Sequence, residues 1–343
     1  MSANTHIVII GTGGAGSEAA LTIRRRDPEC RITQITGSKL PFISRYELPR
    51  VFTGVNSWRE ILAHPPEFYD KYRIDVRRNS WVDHVDAKNK KILLRHKEEV
   101  SFDKLLVASG GGGYLPENLR EFRPLMNGFG SYEDAINMRQ SLPKKGHVIM
   151  LGGDMTGLDL ARTLVAVGHR VTLVAGEQLF WPHEVSDDEN MKFVAVLEKM
   201  GIKVVFDKKV TEVKKGTKGK PARRVVFDGG GGIDGDAVMP FCGLMPSLNF
   251  MIGANVDIER GLLVDPELKT TNDSIWAAGD VCQIWSPEEN SYLFYYGWHY
   301  IKEMGKIAAI NMTGGSKQIS TDQDDHLYIN KQGEIDSPYW IHG

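Results

Sequence analysis

The first apolar block, residues 6–10 (HIVII), is short, β-branched and ended abruptly by glycines, which predicts a buried parallel strand. Gly11, Thr12, Gly13, Gly14, Ala15 and Gly16 follow, and residues 17–26 (SEAALTIRRR) then read as a helix whose basic end complements the helix dipole. Residues 31–36 (RITQIT) are the next strand, so the first forty residues form one βαβ unit. The pattern returns at residues 147–151 (HVIML), with a turn of Gly152, Gly153, Asp154, Met155, Thr156 and Gly157, a helix over 158–167 stopped by Gly168, and a strand over 170–174. Between the two units, residues 80–104 alternate as strands around polar turns. Residues 104–108 (KLLVA) are a buried strand ending in Ser109 and four glycines. Further on, the pattern predicts a helix over 187–200, a strand over 202–206, and a hairpin over 225–239 around Gly229 to Gly232. A strand over 274–278, closed by Gly279 and Asp280, and a helix over 298–312 complete it. Residues 316–343 are polar with scattered aromatics and carry no placeable pattern.

A chain of 343 residues predicts two or three domains. Hydrophobic residues are 41% and charged residues 25%, which supports packed cores and excludes global disorder. Lys plus Arg total 42 against 44 Asp plus Glu, a net −2, so electrostatics give no case for a nucleic acid or an anionic membrane as partner. No apolar run reaches the roughly 18 residues of a membrane span, and the first five residues lack the features of a signal peptide. Cys30, Cys242 and Cys282 stand apart in sequence. That spacing argues against a disulfide framework, a zinc ribbon or an adjacent redox dithiol, and no metal site is expected. Reduced thiols fit a cytoplasmic location.

Gly11-x-Gly13-x-x-Gly16 has the full context of a dinucleotide fingerprint: strand before, helix after, second strand following. Gly11 permits the tight turn, Gly13 lets backbone touch a diphosphate, and Gly16 lets helix and strand pack. The acidic ribose partner expected about 20 residues on is missing. Thr36, Gly37 and Ser38 occupy that region, leaving Ser38, Lys39 or backbone for the ribose. The second fingerprint keeps Gly152, Gly153 and Gly157, but Asp154 stands in place of its second glycine, where a side chain blocks backbone approach and a charge repels a diphosphate. Ala175 follows the second strand instead of an acidic residue, leaving Glu177 for a ribose. This turn is either a nicotinamide nucleotide site or a relic that keeps the fold without binding.

The ordered set GTGGAG, KLLVASG, VIMLGGDMTGLDLA, GLLVDPELKTTNDSIWAAGDVC and GKIAAINMTGG resembles the FAD-dependent pyridine nucleotide-disulfide oxidoreductase superfamily over about residues 6–315. Within it the chain is most similar to the rubredoxin reductase, ferredoxin reductase and nitrite reductase flavoprotein branch. Residues 40–45 (LPFISR) are also similar to NADH oxidases and coenzyme A-disulfide reductases, in which a redox cysteine follows the serine; Arg45 holds that position here, which argues against cysteine chemistry. The resemblance implies an α/β fold of two Rossmann-like three-layer domains, the second inserted in the first, with a short C-terminal segment. Its expected boundaries are 1–120 and 244–315 for the FAD domain, 121–243 for the NAD(P) domain and 316–343 for a tail at an interface.

By the same resemblance, the FAD contacts are Gly11, Thr12, Gly13, Gly14, Ala15, Gly16, Ser38, Lys39, Arg45, Val82, Ala108, Ser109, Gly110, Gly279 and Asp280. A helix N-cap is the alternative for Asp280. The NAD(P) candidates are Gly152, Gly153, Asp154, Gly157, Glu177 and Gly243. Asp159 replaces the glutamate that the family places near the nicotinamide, with a solvated helix carboxylate as the alternative. Trp298 matches a position near the isoalloxazine, or is a core tryptophan. Cys282 reads as an inert buried thiol. The function implied is electron transfer between NAD(P)H and an external acceptor, an iron–sulfur protein such as ferredoxin or rubredoxin, by a homo-oligomer or a subunit of a redox complex. The alternative is an FAD electron-transfer subunit that does not bind NAD(P) productively, which Asp154, Ala175 and the short tail favour.

Overall fold

The computed structural model describes residues 5–65, 67–206, 208–217, 222–320 and 327–336. The chain divides into two compact units: Met1–Ile43, Leu62–Gly112 and Met245–Asp324 in the first, and Ser44–Ile61, Gly113–Leu244 and Asp325–Gly343 in the second.

The first unit is built on a five-stranded parallel sheet in the order Ile275–Ala277, Lys104–Val107, His6–Ile10, Arg31–Ile35 and Ile74–Arg77. Ile7, Val8, Ile9, Leu105, Leu106 and Ile275 are fully buried, as β-branched and leucine-rich strands of a two-sided parallel sheet must be. The first helix runs Gly14–Arg26, three residues earlier than the sequence pattern places it. The reason is packing. Gly14, Ala15 and Gly16 are small, and the helix Trp298–Met312 lies directly against them: a Cβ on Gly305 would overlap the Ala15 carbonyl oxygen. A three-stranded antiparallel sheet of Val82–Asp86, Lys91–Leu94 and Glu99–Ser101 carries the alternating pattern of residues 80–104.

The second unit holds a four-stranded parallel sheet in the order Ile202–Val205, Arg170–Leu179, His147–Gly153 and Ala237–Phe241. The helix Met155–Ala166 follows the second glycine turn, and Asp187–Lys199 follows the strand Arg170–Leu179. The expected hairpin is present as Arg223–Phe227 with Gly232–Gly235, but the strand Ala237–Phe241, assigned to that hairpin by pattern alone, instead joins the parallel sheet beside His147–Gly153. Gly235 and Asp236 make the change of direction, and the Asp236 carboxylate accepts from the His147 N–H at 2.8 Å.

The units also differ from the expected boundaries. Ser44–Ile61 groups with the second unit because the helix Leu48–Thr53 packs on Tyr132–Ser141 and Met155–Ala166. The described part of the expected tail divides likewise. Residues 316–320 stay with the first unit, where Asn311 holds the Lys317 backbone. The hairpin Tyr328–Ile329 with Ile335–Asp336 belongs to the second, where Glu334 lies 3.6 Å from Arg162. Among the described residues no helix is long and apolar enough to cross a membrane.

Candidate nucleotide sites

In the first unit several of the predicted positions lie at one edge of the parallel sheet, beyond the carboxyl ends of its strands. Consecutive strand ends are tied together there: Gly11 N donates to Ile35 O at 2.8 Å, Ala108 N to Ile10 O at 2.8 Å, and Ala278 N to Val107 O at 3.0 Å. Gly11, Ala108 and Gly279, three of the predicted positions, are thus brought to one edge, which is where open α/β sheets bind their ligands.

The first glycine turn is shaped by backbone crowding on one side and openness on the other. Gly11 has φ +114°, and a Cβ there would overlap the Ala108 carbonyl oxygen; a Cβ on Gly16 would overlap the Gly11 oxygen. Gly13 differs: no heavy atom lies within 4 Å of the Cβ it lacks. Gly13 is the N-cap of the Gly14–Arg26 helix, no side chain caps it, and its first turn holds no acidic residue. An uncapped helix start leaves N–H groups and a positive dipole end available for an anion. The buried Gln34, which sequence reasoning missed, donates to Gly11 O at 3.3 Å while its Oε1 has no partner. A diphosphate fits this turn on both counts, steric and electrostatic.

The surrounding positions complete the edge. Ser109 Oγ donates to Ser247 O at 2.7 Å, and Gly110, with φ +65°, faces open space. Gly279 (φ +84°) donates its N–H to Met304 Sδ and turns the chain into Asp280. The Asp280 charge, added to burial, pushes the Tyr296 phenol and the Cys282 thiol up, which places that carboxylate beside both. Trp298 is not a core residue: it is half-buried, stacked on Phe42 at 6.0 Å, and reaches to 3.1 Å from where a Cβ on Gly14 would stand.

Of the expected ribose contacts, Ser38 is committed locally, since its hydroxyl both donates to Leu40 O and accepts from Leu40 N. Lys39 is exposed beside it. Val82 opens an antiparallel strand, paired with Leu94. Trp81, 54% exposed, lays its indole over Gly37 so closely that a Cβ there would stand 2.5 Å from the ring, and Arg95 covers the ring at 5.1 Å. Nothing in the local pattern signals that wall except the glycine it requires.

The second turn repeats the first in its outer glycines. A Cβ on Gly152 (φ +85°) would overlap Phe241 O, and one on Gly157 would stand 2.5 Å from the Phe241 ring. Its middle differs. Asp154 is the buried N-cap of Met155–Ala166, with Oδ1 accepting from Gly157 N at 2.9 Å and Oδ2 from Gly243 N at 3.1 Å. Burial pushes its carboxyl up against the pull of those N–H groups. Glu177 falls in the strand Arg170–Leu179, and its side chain lies outside the described residues. Asp159 is not a solvated carboxylate: burial pushes it up, with the Arg162 and Arg50 charges opposing and Glu47 reinforcing. Arg45 opens the short 3-10 turn Arg45–Glu47 and belongs to the second unit, not to the first with the other FAD candidates.

The thiols are poor nucleophiles. Burial pushes Cys242 up to about 11 and Cys282 further, and Cys30 is shifted in the same direction. Among the described residues no group of three His, Cys, Asp or Glu side chains is arranged to hold a metal ion.

Comparison with known proteins agrees with this geometry. The chain is 28% identical over 278 residues to the rubredoxin-NAD(+) reductase of Pseudomonas putida, covering 80% of this chain and 71% of that protein. It is 26% identical over 316 residues to the NADH-rubredoxin oxidoreductase of Clostridium acetobutylicum, covering 91% and 75%. A covalent putidaredoxin reductase–putidaredoxin complex shares the fold with a TM-score of 0.85 at 18% identity, over 96% of this chain and 79% of that one. The family model for pyridine nucleotide-disulphide oxidoreductases matches residues 5–302. With two glycine turns on parallel sheets and a match over most of its length, the chain belongs to the pyridine nucleotide-disulphide oxidoreductase family.

Proposed function

We propose that the protein is an FAD-dependent oxidoreductase that passes electrons between NAD(P)H and an iron–sulfur protein of the rubredoxin or ferredoxin type. The observation that carries the reading is the open, uncapped turn at Gly13, set at the same sheet edge as Gly110, Gly279 and Asp280. Gly13 lets a diphosphate lie on the main chain, the start of the Gly14–Arg26 helix holds its charge, and Asp280 offers an acceptor to sugar or ribityl hydroxyls. Trp81 bounds the edge beside Gly37, and Trp298 covers Gly14. Bound FAD supplies a centre that accepts a hydride and releases electrons singly.

The pushed-up thiols favour a route without cysteine, and the matched relatives named as rubredoxin reductases favour an iron–sulfur acceptor. Isolated cysteines suit a cytoplasmic setting. A second reading, an FAD electron-transfer subunit without productive NAD(P) binding, is favoured by the Asp154 side chain in the second turn.

The test is an anaerobic titration of the flavin-loaded protein with NADH and with NADPH, followed by addition of oxidised rubredoxin or ferredoxin. The reading expects the flavin absorbance to bleach with one nucleotide and to return with the iron–sulfur protein. A flavin that neither nucleotide bleaches removes the proposed electron donor, and a protein that takes up no FAD removes the whole reading.

A further inference from the structure

The second glycine turn is filled by its own chain. Residues 179–181 lie across it: Leu179 packs its side chain against Gly153, Phe180 N donates to Gly153 O at 2.9 Å, and Trp181 O accepts from Met155 N at 3.0 Å. Met155 is the first residue of the helix, so the N–H that a helix start offers to an anion is already bonded. The Trp181 indole stands 3.0 Å from where a Cβ on Gly243 would lie, and the N–H of Gly243 is held by Asp154 Oδ2 at 3.1 Å. Asp154 Oδ1 takes Gly157 N at 2.9 Å. A carboxylate and a peptide oxygen therefore occupy the amides that a diphosphate uses in an open turn of this kind.

The contrast with the first turn is internal to the molecule. There the middle position is Gly13, with no atom within 4 Å of its missing Cβ and no side-chain cap. Here the middle position carries the cap. The covering segment is itself under tension: Phe180 is buried with φ +73°, a backbone region that bulky L side chains rarely adopt, and its ring is held against Phe193 at 5.4 Å. Such a residue persists only where its surroundings hold it.

We propose that the second glycine turn is a gated nucleotide-diphosphate site, held closed by the Asp154 carboxylate and by residues 179–181, and opened when the carboxylate turns away and the segment lifts. This rests on reading the second unit as the nucleotide domain of the proposed reductase. In the closed form, repulsion by Asp154 and the bonded Met155 amide weaken diphosphate binding. In the open form Gly152, Gly153 and the helix start are exposed as the Gly11 turn is.

Calorimetric titration of the flavin-loaded protein with ADP-ribose tests this without any electron transfer. Asp154→Gly is expected to tighten ADP-ribose at least about tenfold, and Trp181→Ala, which removes the indole beside Gly243 but leaves its N–H on Asp154, several-fold. Asp154→Asn keeps an acceptor for Gly157 N but sets an amide against the Gly243 N–H, and is expected to fall between wild type and Asp154→Gly. Bound flavin and an unchanged thermal midpoint of the first unit show which variants are folded, and the asparagine and alanine variants serve if the glycine variant is not. Unchanged or weaker ADP-ribose binding in the folded variants overturns the proposal. If the variants gain ADP-ribose affinity while NADH and NADPH still leave the flavin oxidised, the gate stands and the proposed electron donor falls.

Discussion

Gly305 meets the Ala15 backbone so closely that any side chain at Gly305 would enter the carbonyl oxygen of Ala15. The two helices that carry these residues are joined by that contact, and Ala15 belongs to the first turn of the helix that begins at the first glycine turn. Gly305→Ala is expected to destabilise the first unit by about 1–3 kcal/mol, the usual cost of overpacking, and to lower flavin retention. Thermal melts and the flavin-to-protein absorbance ratio of the purified variant check it. An unchanged melt with full flavin content would show that the helix contact yields easily.

Gly11 and Gly13 separate folding from binding. Gly13 has open space around its missing Cβ and sits in an ordinary extended backbone conformation, whereas Gly11 combines φ +114° with a backbone overlap. Gly13→Val is therefore expected to cost the apoprotein no more than about 1 kcal/mol, the usual loss for a poor N-cap residue, while weakening FAD at least about tenfold, because its branched side chain occupies the diphosphate approach. Gly11→Val is expected to be insoluble or grossly destabilised. Equal FAD affinity for Gly13→Val and wild type, by fluorescence titration, would contradict the assignment.

Asp159 gives a pH dependence of fixed sign. Its carboxyl is pushed up, first by burial, so the folded state holds the proton more firmly than the unfolded chain. Its contribution is then most favourable below the unfolded carboxylate pKa and declines as pH rises through the higher folded value. The stability of Asp159→Asn relative to wild type is expected to increase from pH 4 upward and then level off. Denaturant melts of both proteins across that range measure the difference, and a gap that narrows with rising pH would reverse the sign.

The three thiols are expected to resist alkylation by iodoacetamide at pH 7.5 in the folded protein and to react promptly in denaturant. Burial holds all three above their ordinary value. Fast native labelling of Cys242 or Cys282, read by intact mass, would contradict their inertness.

The first glycine turn was legible as a turn because its requirements are local: Gly11, Gly13 and Gly16 lie within six residues, between a strand and a helix, and differ in what surrounds their missing Cβ atoms. The contacts that sequence reasoning missed join residues far apart. Trp81 and Gly37 are 44 positions apart (81 − 37) and meet only when the strands have been placed. The strand Ala237–Phe241 was absorbed into the preceding hairpin because its own pattern matches either role; its partner His147–Gly153 decides the matter. Asp154 was legible as a departure from the glycine pattern, but its bonds to Gly157 and Gly243 were not, since a carboxylate at that position reads only as an obstacle. The grouping of Ser44–Ile61 with the second unit depends on Gly54 lying against Arg139 and on Phe52 meeting His169, and neither pair has a sequence signature.

No side chain caps the Gly14–Arg26 helix at Gly13, which leaves the helix start available to an anion. A ligand that binds there in the folded chain and not in the unfolded one stabilises the fold by mass action, so its free concentration enters the folding equilibrium directly. At one hundred times the dissociation constant it adds about 2.7 kcal/mol. Loss of flavin is therefore expected to lower the melting temperature of the first unit, tying the lifetime of its fold to the supply of its cofactor.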